Sequence, residues 1–182
     1  CGDHALAWML LVEREQAMGG IVDVTDSAWG EGWVARARIC SDRGELAEAE
    51  QWLDQAATGL KRHDWTALLP RTLLERAELY YLRGELRALQ DALNNALSVA
   101  REQHQVFIEA SVLRALGRER MVRGDFDAAK TAVLGAVRLF RRIHEPVEET
   151  LGVQLLGEIA RRRGNLSKAE RLLRSNRSRA LK

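Results

Sequence analysis

Proline, cysteine and lysine are scarce in this sequence of 182 residues, which has 2 Pro, 2 Cys and only a small share of Lys among its 28 basic residues. With 2 Pro and 14 Gly, a collagen-like or low-complexity chain is excluded. Two cysteines exclude a disulfide framework and indicate a reducing compartment, so we expect a cytoplasmic protein. The chain also lacks a run of about 18 apolar residues, and no membrane-spanning helix is predicted.

Sequence patterns of catalysis are absent as well. The chain has no phosphate-binding glycine-rich loop and no G-x-S-x-G, H-E-x-x-H or C-x-x-C motif. The carboxylates of Glu148 and Glu149 are adjacent in sequence and point in different directions on a helix. His104 and His144 occupy equivalent turns, and no Cys or third His joins them, so we expect no metal site. The sequence therefore predicts a non-catalytic protein that needs no cofactor.

What the chain does contain is typical of a folded protein with few aromatic side chains. Hydrophobic residues make up 46% and charged residues 30%, which excludes a disordered chain. The net charge of +2 conceals an acidic half, residues 1–91, and a basic half, residues 92–182. We interpret the preference for Arg and Ala as the codon bias of a GC-rich bacterium rather than as a binding signal.

A repeat of forty residues organises the chain. Four segments share the form Arg-Gly followed by a polar and then an apolar residue: Arg43-Gly44-Glu45-Leu46, Arg83-Gly84-Glu85-Leu86, Arg123-Gly124-Asp125-Phe126 and Arg163-Gly164-Asn165-Leu166. On both sides of each glycine, apolar residues recur at spacings of three and four, which is typical of amphipathic helices. No sustained alternation occurs, so the pattern predicts helix pairs and no strands.

Local signals mark the helix ends. Each glycine permits a tight turn at positive φ between the two helices of a pair. The polar residue after the glycine favours the start of the second helix through capping or the helix dipole. Pro70 and Pro146 lie near the start of a first helix, where a missing N–H has no cost.

Residues at fixed offsets from the glycines resemble the tetratricopeptide repeat, with Trp-x2-Leu-Gly-x2-Tyr on the first helix and Ala-x3-Phe on the second. The first helices carry a small residue at the Gly position, and the second helices carry Ala or Leu at the Ala position: Ala37, Ala77, Gly117, Gly157, Ala49, Leu89, Ala129 and Ala169. The resemblance covers residues 28–174; Leu89 replaces a small residue, and Arg120 replaces an aromatic one. It implies an all-α fold, a right-handed superhelix (α-solenoid) of stacked antiparallel helix pairs.

The expected organisation is an N-terminal helix and loop followed by four repeats: residues 1–27, 28–66, 67–106, 107–146 and 147–182. The first segment is either the second helix of a truncated repeat or an independent helix ending at Gly19-Gly20. Cys1 is either the start of a fragment, which we favour, or a processed N-terminus.

The forty-residue period is longer than the common repeat and resembles the helical domains of large bacterial signal-transduction and transcription regulators, of the maltose-activator or antibiotic-regulator type. The resemblance implies a protein-interaction or effector-sensing domain of such a regulator. The alternative is a stand-alone scaffold that binds a peptide or partner protein in its concave groove. Expected partners are a protein, a peptide, neighbouring domains or a small effector; direct binding to nucleic acid is not favoured.

The resemblance also implies which residues face the groove. They come from three positions of each first helix: Val34, Arg38, Ser41, Leu74, Glu78, Tyr81, Arg114, Arg118, Met121, Gln154, Glu158 and Arg161. The middle position alternates in sign, which indicates either a groove for a mixed-charge ligand or, as we prefer, ion pairs between neighbouring repeats.

The C-terminal end is basic, with Arg161, Arg162, Arg163, Lys168, Arg171 and Arg174 as its candidate patch. Such a patch either contacts phosphate or an acidic domain, or is a solvated helix with cations near its C-terminal end, which we prefer. All five tryptophans precede residue 66, and packing explains them more simply than a ligand cage. Cys40 lies at an expected core position.

Overall fold

The computed structural model describes residues 4–19, 26–167, 169–172 and 174. Within these residues it contains helices and no strands, which confirms the predicted all-α fold class. The α-helices are α1 His4–Met18, α2 Ser27–Arg43, α3 Leu46–His63, α4 Leu69–Arg83, α5 Leu86–Glu102, α6 Val106–Val122, α7 Phe126–Arg142 and α8 Pro146–Arg162. A short 3-10 turn, Thr66–Leu68, precedes α4, and residues 169–172 are helical as well.

The chain forms two compact units, Cys1–Val99 and Ala100–Lys182, and α5 spans the boundary between them. In the first unit, α1 packs against α2, α2 against α3, and α3 against α4. In the second unit, α6 packs against α7 and α7 against α8. Each unit therefore contains consecutive helix pairs, in which α2, α4, α6 and α8 are first helices and α3, α5 and α7 are second helices. None of the described helices combines the length and the apolarity needed to cross a membrane.

The predicted glycine turns are present at all four sites. Gly44, Gly84, Gly124 and Gly164 are left-handed, with φ between 75° and 82°. At Gly44 the amide donates to the Ser41 carbonyl, and the next amide, of Glu45, donates to the Cys40 carbonyl. This pair of backbone bonds satisfies carbonyls at the end of the first helix while it reverses the chain.

The turns between successive repeats use the same geometry without glycine. His104 and His144 have φ of 56° and 59°, and the amide of each donates back to the carbonyl of an arginine three residues earlier. Asp64 has φ of 55° at the corresponding position of the preceding repeat. The sequence showed these histidines as turn residues, but it did not reveal that the backbone there is left-handed.

Small residues allow the helices of a pair to approach closely, as predicted. In the first unit, Ala37 and Cys40 of α2 are buried against Ala49 and Leu53 of α3. In the second unit, a Cβ atom on Gly117 of α6 would overlap Cγ2 of Val133 on α7. The core of each unit therefore depends on side chains that are small where the helices cross.

A buried tryptophan anchors the junction between the first two repeats. The side chain of Trp65 is 5% exposed and packs with Val34, Ala56 and Leu68. Its indole ring fills a slot between two helical glycines, because a Cβ on Gly30 or on Gly59 would lie less than 3 Å from the ring. Packing thus accounts for this tryptophan, as the sequence indicated, although the two glycines that admit it were not foreseen.

We predict that Gly59→Ala destabilises the protein by about 1–3 kcal/mol, because the added methyl group overlaps the Trp65 ring. Gly135→Ala on α7 is the matched control, since its added Cβ meets only the end of Leu113 at 3.4 Å. The control should gain about 0.5–1 kcal/mol from helix propensity. Denaturant unfolding measures the free energy of unfolding of both variants. Equal values for the two would contradict the packing of Trp65 between Gly30 and Gly59.

We further predict that His144→Gly stabilises the protein by on the order of 0.5–1 kcal/mol, because glycine relieves the left-handed strain at a modest entropic cost. Gly124→Ala should destabilise the protein instead. No atom lies within 4 Å of the added Cβ, so only the left-handed backbone conformation opposes the substitution. Thermal unfolding of both variants checks the prediction, which fails if both shift the melting temperature in the same direction.

Candidate functional site

An arginine joins the first three helices. The guanidinium of Arg36 on α2 lies 4.6 Å from the ring centroid of Trp8 on α1 and 4.8 Å from that of Trp52 on α3. It also donates two hydrogen bonds to the carboxylate of Glu15, at 3.0 and 2.6 Å. Arg36 is 6% exposed, so this cation is buried and fully engaged, and it is not available to a ligand.

Three of the arginines that precede a turn glycine bind back to the helix before their own helix pair. Arg83 donates to the Leu46 carbonyl and to the Glu50 carboxylate in the first turns of α3. Arg43 donates to the His4 carbonyl of α1, and Arg163 pairs with Asp127 in the first turn of α7. At these three sites the Arg-Gly motif combines a turn residue with a side chain that contacts an earlier helix, whereas Arg123 pairs with Glu119 of its own helix, α6.

On the first helices of the first unit, Arg38 of α2 donates to the Glu75 carboxylate of α4 at 3.0 Å. Burial raises the pKa of Glu75 above its usual value, although the Arg38 charge opposes this shift. Glu75 is 7% exposed, whereas the side chain of Arg38 is half-exposed. Two of the groove residues predicted on α4, Glu78 and Tyr81, are half-buried.

On the first helices of the second unit, Arg114 of α6 lies 3.0 Å from the Glu148 carboxylate of α8. Glu158 accepts hydrogen bonds from Arg161 and from Arg162, which lower its pKa to about 2. The preferred interpretation, ion pairs between neighbouring repeats along the middle position, stays a prediction. Of the middle-position residues, Arg38 bonds to Glu75 of the next first helix, and Glu158 bonds within its own helix.

Four of the twelve predicted groove residues are buried. Val34 is 1% exposed, Met121 7%, Leu74 8% and Ser41 9%. Val34 packs around Trp65, and Met121 lies in the core with Val133 and Ile159. These four side chains therefore do not line an accessible surface. The assignment of the other eight to a ligand-binding face stays a prediction.

The candidate basic patch is largely engaged in ion pairs. Arg161 and Arg162 bind Glu158, Arg163 binds Asp127, and Arg174 pairs with Glu170 at 2.5 Å. Arg171 is exposed, and Lys168 lies outside the described residues. The role of the patch, either a contact with phosphate or an acidic domain or a solvated helix end, stays a prediction.

Two ion pairs that the sequence analysis missed repeat at forty residues. Arg101 donates to Glu109 at 2.9 Å, and Arg141 donates to Glu149 at 2.7 Å. Each pair spans one turn between repeats, with His104 or His144 at the left-handed position. The identical spacing of the two Arg–Glu pairs in the sequence is the signal by which they could have been found.

One group of potential metal ligands comes together within the described residues. The sulfur of Cys40 and carboxylate oxygens of Glu45 and Glu48 lie within 4.8 Å of one another. Burial raises the pKa of the Cys40 thiol to about 11, with the nearby Glu48 and Glu45 charges adding to the effect. A thiol that stays protonated at neutral pH is a poor ligand, and the buried position fits the predicted core role of Cys40.

Comparisons with a family model and with solved structures identify proteins that have a similar fold. Residues 30–55 match the family model of the tetratricopeptide repeat. The structure of BtubC (BKLC) from P. vanneervenii is similar, with a TM-score of 0.73 and 16% identity, over 99% of this chain and 74% of that one. A Podosopora anserina kinesin light chain with nearly identical TPR-like repeats has a TM-score of 0.61 and 15% identity, over 98% of this chain and 88% of that one. A point variant of that protein has a TM-score of 0.64 and 16% identity, over 98% of this chain and 87% of that one.

These likenesses show a tetratricopeptide-like fold of helical repeats, in agreement with the resemblance found in the sequence. A search of curated proteins gives no match.

We predict opposite pH dependences for two glutamate variants. Glu158→Gln should lower stability at neutral pH by under about 1 kcal/mol, because it removes an exposed pair. Since the folded pKa of Glu158 is depressed to about 2, the loss should vanish as the pH falls from about 5 to 2. Glu75→Gln should not destabilise the protein at pH 7, because the buried carboxylate is disfavoured there, and its advantage over wild type should shrink as the pH falls.

Denaturant unfolding of wild type and both variants from neutral to acidic pH measures these differences. If the two glutamine variants showed the same pH trend, the assigned environments of Glu75 and Glu158 would be wrong.

Proposed function

We propose that this chain is a non-catalytic protein-interaction module, which binds a segment of a partner protein on the exposed face of its first helices. Tetratricopeptide-like repeats display such faces on stacked helices and are used as binding surfaces. The structures similar to this chain include a protein named as a kinesin light chain with TPR-like repeats, which supports a scaffold rather than an enzyme.

The observation that carries the proposal is an exposed stripe on α8. Val147, Leu151, Gln154, Glu158 and Arg161 follow one another at spacings of four and three, so they share one face of the helix. Val147 is 69% and Leu151 38% exposed, and they lie toward the N-terminal end of the stripe. Large exposed apolar side chains beside polar ones are typical of a contact surface.

The charged residues of α6 and α8 indicate which kind of partner segment would fit the stripe. Beside the stripe, Arg114 of α6 reaches Glu148 of α8, which fixes the two helices next to each other. At the C-terminal end of the stripe, two arginines share the single carboxylate of Glu158, so a positive charge remains there. We therefore expect a partner segment with an apolar side chain over Val147 and Leu151 and an acidic residue near Arg161.

The test is capture of a partner by the purified protein, followed by a comparison of variants. The double variant Val147→Glu/Leu151→Glu should lower the affinity for the identified partner by about tenfold or more, because it buries charge in the contact. Arg138→Glu on the exposed side of the second helix α7 is the control and should bind like wild type. A partner that binds both variants equally would contradict the role of the α8 stripe.

A narrower hypothesis follows from the sequence. The forty-residue period and the Arg- and Ala-rich composition support the effector-sensing domain of a bacterial multidomain transcription or signalling regulator. The reading frame of the gene tests it directly: a regulator would also encode an ATPase or a DNA-binding module. A frame with neither would eliminate this hypothesis and would leave the stand-alone scaffold.

A further inference from the structure

Glu75 places an ionisable group where the other repeats carry apolar residues. The residues at the equivalent position of the other first helices, at multiples of forty residues, are Ala35, Ala115 and Leu155. An apolar side chain is therefore compatible with the helix-pair fold at this position, and the fold does not require a carboxylate there. Because the burial of a carboxylate is costly, its presence points to a role other than packing.

The surroundings of Glu75 favour its neutral form. The residue is 7% exposed, and burial raises the pKa of its carboxyl group above the usual value. Arg38 of α2 opposes this shift through its charge and its hydrogen bonds. On α4 itself, the negative charge of Glu78 raises the pKa of Glu75 further, and the positive charge of Arg71 lowers it. Glu75 therefore takes up a proton at a higher pH than an exposed glutamate does.

The guanidinium of Arg38 is placed so that it can leave Glu75. Its Nη1 atom donates to the two carboxylate oxygens of Glu75, at 3.0 and 3.4 Å. The side chain of Arg38 is half-exposed, whereas that of Glu75 is buried. The Nε atom of Arg38 also lies 3.8 Å from the carboxylate of Asp42, and the charge of Glu78 acts on Arg38 as well. When the bond to Glu75 weakens, Arg38 can therefore turn outward without losing every anionic neighbour.

We propose that Glu75 is a proton-controlled switch, which sets whether Arg38 is bound to α4 or is available to a carboxylate ligand on the face of the first helices. While Glu75 is ionised, a charge-assisted hydrogen bond holds the guanidinium on α4. When Glu75 takes up a proton, the attraction between opposite charges is lost, and the neutral group binds the arginine less strongly. The released cation then pairs with a carboxylate from outside the chain.

Protonation and ligand binding are coupled in both directions. A carboxylate that pairs with Arg38 withdraws the positive charge that keeps Glu75 ionised, so ligand binding promotes proton uptake by Glu75. By reciprocity, a fall in pH strengthens the binding of the carboxylate. This switch lies in the first unit and does not involve the α8 stripe of the proposed function.

Side-chain NMR of the isotopically labelled full chain, from neutral to acidic pH, tests the switch. One glutamate carboxyl resonance, identified by its loss in Glu75→Gln, should titrate at a higher pH than those of the exposed glutamates. The guanidinium resonances of Arg38, identified by their loss in Arg38→Gln, should shift with the same midpoint.

Two arginine variants separate the pair from general surface charge. Arg38→Gln should move the Glu75 midpoint to a still higher pH, because it removes the charge that opposes burial. Arg62→Gln is the matched control, since Arg62 is an exposed arginine of α3 in the same unit, and it should leave the midpoint unchanged.

A second measurement at neutral pH tests the binding of a carboxylate. The probe is sodium acetate, with sodium chloride at equal ionic strength as the blank. Acetate should shift the Arg38 resonances more in Glu75→Gln than in wild type, because the glutamine is neutral. Glu75→Leu, which introduces the residue type of the fourth repeat, removes the hydrogen-bond acceptor as well and should give the same result.

Three results would each overturn the proposal: a Glu75 that titrates together with the exposed glutamates, Arg38 resonances that do not follow the Glu75 midpoint, and an equal response to acetate in wild type and both Glu75 variants. None of these measurements uses the partner captured through α8. Failure of the switch and failure of the proposed function are therefore distinguishable.

Discussion

The left-handed turn that closes each helix pair is the constraint on which the rest of the structure depends. At Gly44 and Gly124 two backbone hydrogen bonds end one helix and set the direction of the next. Because the turn recurs every forty residues, the helix faces recur in the same register along the sequence. Small residues such as Gly117 can then allow close packing at each crossing.

Arginine makes the second kind of connection, between successive pairs. Arg83 and Arg163 each sit beside a turn glycine and reach the first turn of an earlier second helix. The planar guanidinium binds a carboxylate or a carbonyl in a defined geometry, which a lysine ammonium does not do as well. The preference for arginine that composition alone attributed to codon bias therefore also has a structural role at these positions.

Charged residues consequently divide into two groups. Arg36 and Glu75 are buried and bond to side chains of neighbouring helices, whereas Arg161 and Arg162 stay accessible at the end of α8. Their positions in the repeat do not separate the groups, because burial depends on which helix lies opposite. Arg36 is buried because it packs against the rings of Trp8 of α1 and Trp52 of α3 and bonds to Glu15 of α1.

The fold could be predicted from the sequence because its determinants are local and periodic. The glycines at 44, 84, 124 and 164, the helical spacing and the small residues at helix crossings all lie within one repeat. The candidate site was predicted less well, since the burial of Val34 and Met121 depends on neighbouring repeats. The slot for Trp65 could not be predicted, because Gly30 and Gly59 become its walls only once α2 and α3 have packed together.

The uneven distribution of tryptophan gives the two units different optical properties. All five tryptophans, at 8, 29, 33, 52 and 65, belong to the unit Cys1–Val99. Intrinsic fluorescence therefore follows the tertiary packing of that unit alone, whereas circular dichroism follows the helices of both. Coincident transitions by the two methods would indicate that the repeats unfold as a single cooperative system, and separated transitions would measure the energetic independence of the second unit.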